Sequence, residues 1–108
     1  MKIDKPWGYE IIWANTESYV GKVLYINAGH RLSKQYHKIK EETVYVVEGV
    51  LLNYEDDGSI TRINPGQSFH VEVGQIHRFG AGSDDVKLVE VSTPHLQDVI
   101  RIEDDYSR

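Results

Sequence analysis

The sequence predicts an all-β domain, an antiparallel barrel or jelly roll. Short runs rich in Val, Ile, Tyr and Phe recur along the whole chain. Turn-forming clusters separate them at roughly 8–12-residue spacing, the interval of sandwiches and barrels. No segment carries a sustained helical period.

The runs follow one another with turn chemistry between them. "YEIIWA" covers residues 9–14 and "YVGKVLYINA" covers 19–28. "TVYVVEGVLLNY" at 43–54 is the longest. Asp57-Gly58 in "EDDGS" is a hairpin signal that leads to "SITRIN" at 59–64. "NPGQ" at 64–67 turns the chain into "SFHVEV" at 68–73, and "VGQ" at 73–75 turns it again into "IHRFGA" at 76–81. "VKLVEVST" at 86–93 is the last run, and a turn near "LQDVI" at 96–100 is the nearest thing to a helix. Gly29, Gly49 and Gly74 read as turn glycines, because no Gly-rich loop opens a helix.

Composition bounds the function. A chain of 108 residues has room for one core, so residues 1–108 are expected to form a single domain. Its 40% hydrophobic and 27% charged content is ordinary for a globular domain. The net charge of −5, with Lys and Arg scattered, argues against a nucleic-acid partner. With no Cys, disulfides, zinc ribbons and thiol catalysis are excluded, which fits a reducing compartment. No apolar run reaches membrane-spanning length, and "MKIDKPWGYE" is not a signal peptide. The expectation is a cytoplasmic protein without a membrane partner. So small a core, and an aromatic "PWGYEIIW" segment at 6–13, predict a homodimer with that segment at the interface.

The chemistry concentrates in "RLSKQYHKIKEETVYVVEG", residues 31–49. On a strand, Gln35 and His37 project from one face with Tyr36 turned away. If "KIKE" is a short connection, Glu42 opens the next strand and faces them. His77 opens a further strand after a tight turn. An amide oxygen, two imidazoles and a carboxylate make a mixed nitrogen and oxygen site for a divalent metal. The competing readings are a solvated Gln35, core histidines, and Glu41 in place of Glu42. His30, His70 and His95 match no ligand position.

The same residues resemble the cupin superfamily. Gly29, His37, Glu42 and Gly49 fit its first motif, with Gln35 where many members have His. Gly66, Gly74 and His77 fit the second, which departs at Glu72, usually Pro, and at Ala81, usually Asn. "KPWGYE", "GHRLSKQYHKIKEETVYVVEG" and the terminal "VIRIEDDYSR" resemble the cupin domain of type II mannose-6-phosphate isomerases. That likeness runs from Lys5 to Arg108. "LSKQYH" also resembles a segment of type I phosphomannose isomerases in which Gln and His bind metal. The resemblance implies a single cupin domain holding one divalent ion per chain on Gln35, His37, Glu42 and His77. Zinc is the first expectation, with Mn, Co, Ni or Fe as alternatives.

It further implies isomerisation of a sugar phosphate such as mannose 6-phosphate. Another cupin isomerase or epimerase, or a non-catalytic sugar-binding or regulatory module, are the alternatives. A dioxygenase is disfavoured by Gln35 in place of His. Glu90 and Arg78 are the catalytic candidates and Arg101 the substrate-binding one, since Arg suits bidentate phosphate recognition. Strict alternation turns Arg78 away from an inward His77. Glu90 shares a face with Leu88 and is a candidate general base if inward.

Overall fold

A computed structural model describes residues 1–106; Ser107 and Arg108, the end of the terminal motif, lie outside the described residues. Among the described residues all regular structure is strand: β1 (Lys2–Lys5), β2 (Gly8–Asn15), β3 (Val20–Ile26), β4 (Lys34–Tyr36), β5 (Glu42–Glu48), β6 (Leu51–Tyr54), β7 (Ile60–Ile63), β8 (Ser68–Val71), β9 (Phe79–Ala81), β10 (Val86–Ser92) and β11 (Ile100–Glu103). Every pairing is antiparallel. Six strands form one sheet in the order β1-β2-β3-β10-β5-β8, three form β7-β6-β9, and β11 pairs with β4. Bridges at Arg31–Gly80 and Gln35–His77 join the β4 region to the stretch that feeds β9. This is the all-β barrel expected. Among the described residues no helix is long and apolar enough to cross a membrane.

Alternation explains the core. On β3, Val20, Lys22, Leu24 and Ile26 are buried; on β10, Val86, Leu88, Glu90 and Ser92 are. These rows pack with Val44, Val46, Leu51 and Phe79 into one apolar cluster. Each row carries one charged residue inward, and the register sets Lys22 directly opposite Glu90. Trp7 is buried in this core, so the barrel covers it without a partner. Trp13 stays more than half exposed on the outer sheet face.

Three strands escape the pattern of apolar runs. β1 reads "KIDK", β4 "KQY" and β11 "IRIE", each too short and polar to show a period. Residues 95–99 make turns, with Asp98 N–H donating to the His95 carbonyl at 3.1 Å. The long run at 43–54 divides into β5 and β6, which belong to different sheets. Gly49 makes that break, with a φ of 74°. A Cβ there would sit 2.2 Å from the Asp85 carbonyl oxygen. Gly49→Ala therefore combines left-handed strain with a backbone clash and is expected to cost at least about 2 kcal/mol. Urea denaturation checks this; a loss under about 0.5 kcal/mol contradicts it.

Candidate active site

His37 follows β4, Glu42 opens β5, and His77 precedes β9 by one residue. Paired backbone hydrogen bonds lock Gln35 against His77: Gln35 N–H to the His77 carbonyl at 3.0 Å, and His77 N–H to the Gln35 carbonyl at 2.9 Å. The Gly74 N–H, in the turn before His77, donates to the His37 carbonyl at 2.8 Å. Three segments distant in sequence are thus fixed by backbone, and the side chains inherit that rigidity. His37, Glu42 and His77 are 0%, 3% and 2% exposed.

The donor pattern fits a cation. His37 Nδ1 faces the Asp98 carbonyl and His77 Nδ1 faces the Gln75 carbonyl. A carbonyl only accepts, so both Nδ1 atoms carry hydrogen, and Nε2 is the free position on each ring. The two Nε2 atoms lie 3.4 and 3.2 Å from the same oxygen, Glu42 Oε1. His37 Nε2 is buried and finds no hydrogen-bond partner. The three ligand atoms lie within 4.8 Å of one another. A divalent ion satisfies all three lone pairs, and the carbonyls orient the rings toward it.

Gln35 stands beside this cluster. Its Nε2 is 3.5 Å from His77 Nε2, and its Oε1 accepts from the buried Ser33 hydroxyl at 2.7 Å. In this orientation the amide turns its NH₂ to the cluster. Rotating the amide end for end offers the oxygen, and the Ser33 hydroxyl accepts as readily as it donates.

A chain of buried charge continues from Glu42. Lys40 Nζ lies 3.1 Å from Glu42 Oε2 and 3.2 Å from Glu90 Oε2. Burial acts to raise Glu42, but in the metal-free protein an imidazole that takes up a proton at Nε2 donates it to Glu42, and with the Lys40 ammonium this outweighs burial and holds the carboxyl well below the usual range. Burial pushes Glu90 up to about 7, helped by the Glu42 charge and only partly offset by Lys40. Burial opposes the charge on Lys40, yet the two carboxylates raise it above its ordinary value. Farther along the sheet, Glu10 binds Lys22 at 3.3 Å and Lys5 at 3.8 Å.

Gln35, Glu42, His77, Lys40, Glu90 and Arg101 line one cavity of about 320 Å³. Arg78 does not line it. Parity turns it to the other side, where it is buried and donates to the Leu32 carbonyl at 3.1 Å, Glu103 at 3.2 Å and Asp105 at 2.9 Å. It clasps the C-terminal segment, as Arg31 does through two bonds to Asp105 at 2.7 and 3.1 Å. A group so engaged holds the barrel closed and has no place among the reacting atoms. Glu41 pairs with His70 on the surface, while His30 and His95 turn to Ala28 and Thr93.

Lys40, Lys22, Glu10 and Asp98 escaped the sequence reading. Lys22 had a signal, since alternation sets it in the row of Val20, Leu24 and Ile26. Asp98 had none. Its carboxylate accepts the N–H groups of Lys38, Ile39 and Lys40 at 3.0, 2.7 and 2.8 Å, and its carbonyl meets His37. Those three bonds hold its carboxyl down to about 2. A depressed carboxyl stabilises the fold above its ordinary value of 3.8, and that contribution is lost as pH falls toward about 2. Asp98→Ala frees the 38–40 turn and is expected to weaken metal binding about tenfold or more. Competition with a metallochromic chelator measures this, and an unchanged affinity removes the positioning role.

A mannose-1-phosphate guanylyltransferase of Sinorhizobium fredii is 29% identical over 106 residues, 94% of this chain and 20% of that protein. A quercetin 2,3-dioxygenase of Bacillus subtilis is 34% identical over 68 residues, 63% of this chain and 20% of that protein. The chain thus spans a fifth of the length of either relative. A solved structure described as a sugar phosphate isomerase of the cupin superfamily, from Silicibacter pomeroyi, superposes with a TM-score of 0.70 at 20% identity, over 79% of this chain and 58% of that one. The fold is the cupin barrel. The model of the mannose-6-phosphate isomerase C-terminal family matches residues 1–104, and the chain belongs to that family.

Proposed function

We propose that the protein is a metal-dependent isomerase that interconverts an aldose phosphate and a ketose phosphate, mannose 6-phosphate and fructose 6-phosphate first. One observation carries the reading: Glu42 and His77 of the His37–Glu42–His77 cluster and a separate buried carboxylate, Glu90, line the same cavity. Aldose–ketose isomerisation needs a cation beside the sugar oxygens and a base that moves a proton between C1 and C2. A bound divalent ion, zinc by first expectation, supplies Lewis-acid stabilisation of charge on those oxygens. His37, Glu42 and His77 hold it, with Gln35 as fourth ligand once its amide is turned. Glu90 takes the proton from one carbon and returns it to the other. A carboxyl near 7 suits transfer in both directions at neutral pH. Lys40 sits between two carboxylates and fixes Glu90 relative to the cluster. Arg101 lines the cavity and binds substrate.

Family membership and the guanylyltransferase and sugar phosphate isomerase relatives support this reading. A second reading, a sugar-binding module without turnover, draws on the small fraction of the guanylyltransferase that the chain represents. Metal-loaded protein incubated with mannose 6-phosphate in D₂O separates the two. The expected result is fructose 6-phosphate with deuterium exchanged at C2. No conversion and no exchange on any hexose phosphate, across several divalent metals, overturns the isomerase.

The reading takes the protein as a cytoplasmic homodimer. Trp13, Tyr45, Val47 and Val91 are exposed apolar residues on β2, β5 and β10 of the large sheet. The Trp13 ring lies over Gly21, leaving no room for a side chain there. A second copy covering this sheet face would bury it. Sedimentation showing only monomer at micromolar concentration rejects that assembly.

A further inference from the structure

We propose that Lys5, Glu10, Lys22 and Trp7 form an anion subsite in the cavity, away from the His37–Glu42–His77 cluster, and that it takes the phosphate of the sugar phosphate. The proposal rests on the isomerase reading and names the residues that select a phosphorylated sugar.

The place comes from sheet register. Glu42 lies on β5, and β10 separates β5 from β3, which carries Lys22. The register sets Lys22 opposite Glu90 and Glu42 opposite Ser92, so Lys22 and Glu42 are two strand spacings apart and two residues out of line, roughly 12 Å between backbones. That suits the length of a hexose with its reacting carbons at one end and a phosphate at the other. Glu10, on β2, lies one strand farther, opposite Leu24, and its carboxylate reaches Lys22 on the diagonal. All four residues line the cavity.

The chemistry comes from unmatched donors. Each ammonium offers three N–H donors. Lys22, 9% exposed, meets Glu10 Oε2 at 3.3 Å, and Lys5 meets Glu10 Oε1 at 3.8 Å. One carboxylate cannot occupy six donors, and each of its oxygens already faces an ammonium. Trp7 adds a third donor type: the residue is 2% exposed and its Nε1 has no partner among the described residues. A buried donor without an acceptor forfeits its hydrogen bond to water, which a ligand oxygen restores. Donors outnumber acceptor sites at this end, so it matches a group that only accepts.

Charge points the same way. Lys5, Lys22, Lys40 and Arg101 line the cavity against Glu10, Glu42 and Glu90. Cations outnumber anions here in a chain whose net charge is −5. A divalent ion on the cluster widens the excess. The cavity is therefore a positive island in a negative protein, which favours entry of an anionic substrate.

Binding, read without turnover, tests the subsite. Metal-loaded wild type, Lys5→Met and the charge-neutral double variant Glu10→Gln/Lys22→Met are titrated calorimetrically with mannose 6-phosphate, inorganic phosphate, mannose and a hexuronate. Metal content is measured on each. The expected result is a loss of tenfold or more in mannose 6-phosphate affinity in the double variant. Phosphate competition disappears with it, while metal content and mannose affinity stay within twofold. Lys5→Met shows a smaller loss of the same kind and carries the test if the double variant fails to fold. Unchanged phosphate affinity in a folded double variant overturns the subsite. A hexuronate that binds as tightly as mannose 6-phosphate, with the same residue dependence, overturns the phosphate assignment. If wild type isomerises nothing yet loses phosphate in these variants, the subsite stands and the isomerase reading falls.

Discussion

Wild type is expected to hold about one divalent ion per chain, and the double variant His37→Ala/His77→Ala to lose essentially all of it. The two rings supply two of the three atoms that converge within 4.8 Å. What remains is the neutral Gln35 amide and one carboxylate, Glu42, already held by Lys40 at 3.1 Å. A single carboxylate paired with an ammonium is a poor site for a transition metal. The fold is expected to survive, because the Lys40 pair keeps Glu42 from being left as an orphaned buried charge. Elemental analysis of dialysed protein reads the metal, and circular dichroism reads the fold. Thermal unfolding adds an independent measure. An ion at a hundredfold its dissociation constant stabilises the native state by about 2.7 kcal/mol, and the double variant should gain none of that. Wild-type affinity should also fall with acidity: burial acts to lower the His37 pKa, but hydrogen bonds to Glu42 and the Asp98 carbonyl hold it above its ordinary 6.5, so protons compete with the ion for that ring. Unchanged metal content in the folded double variant removes this cluster as the site.

Much of the barrel was legible because alternation is a local signal. The runs at 19–28 and 86–93 contain β3 and β10, and their parity alone sets Lys22 and Glu90 on the inner face. The same rule kept Arg78 out of the cavity, since it follows the inward His77. What parity could not show is that the far side of Arg78 is also buried, under a C-terminal segment held by Glu103 and Asp105. The spacing of Gln35, His37, Glu42 and His77 was readable, and the structure brings the four together. The orientation of the Gln35 amide was not readable, because it depends on Ser33 across a local turn. Lys40 looked like one more surface lysine in a charged connection. Its burial arises only when β10 brings Glu90 beside Glu42, a contact between residues 48 positions apart in the chain. Asp98 is the extreme case. Its three N–H partners lie some 60 residues away, and no local pattern in "LQDVI" announces them. Trp7 and Trp13 divide what composition reads as one segment. An aromatic segment suggested an interface, yet the barrel itself buries Trp7 and leaves Trp13 to the outer face.

Glu90→Gln is expected to lower isomerase turnover by about a hundredfold or more while metal content stays at the wild-type level. The change keeps the shape of the side chain and removes its ability to take a proton. Lys40 retains Glu42 as its partner, so no ammonium is stranded. Glu90 does not face the cluster through a ligand atom of its own, which separates its role from that of Glu42. Solvent deuterium gives the sharper reading: exchange at C2 should fall with turnover, whereas a purely structural role would weaken binding and leave exchange per bound substrate intact. Stability supplies a second, catalysis-free check on metal-free protein. The Glu90 carboxyl is raised from 4.5 to about 7 by burial and by Glu42, so ionising it works against the fold. The sign is that of a raised acid: wild type loses stability relative to Glu90→Gln as pH rises from 4.5 through about 7, and the difference then levels. Urea midpoints of the two proteins across that range measure it. A Glu90→Gln protein that turns over mannose 6-phosphate and exchanges its C2 proton at the wild-type rate would assign the base to another group in the cavity, with Lys40 the next to be tested.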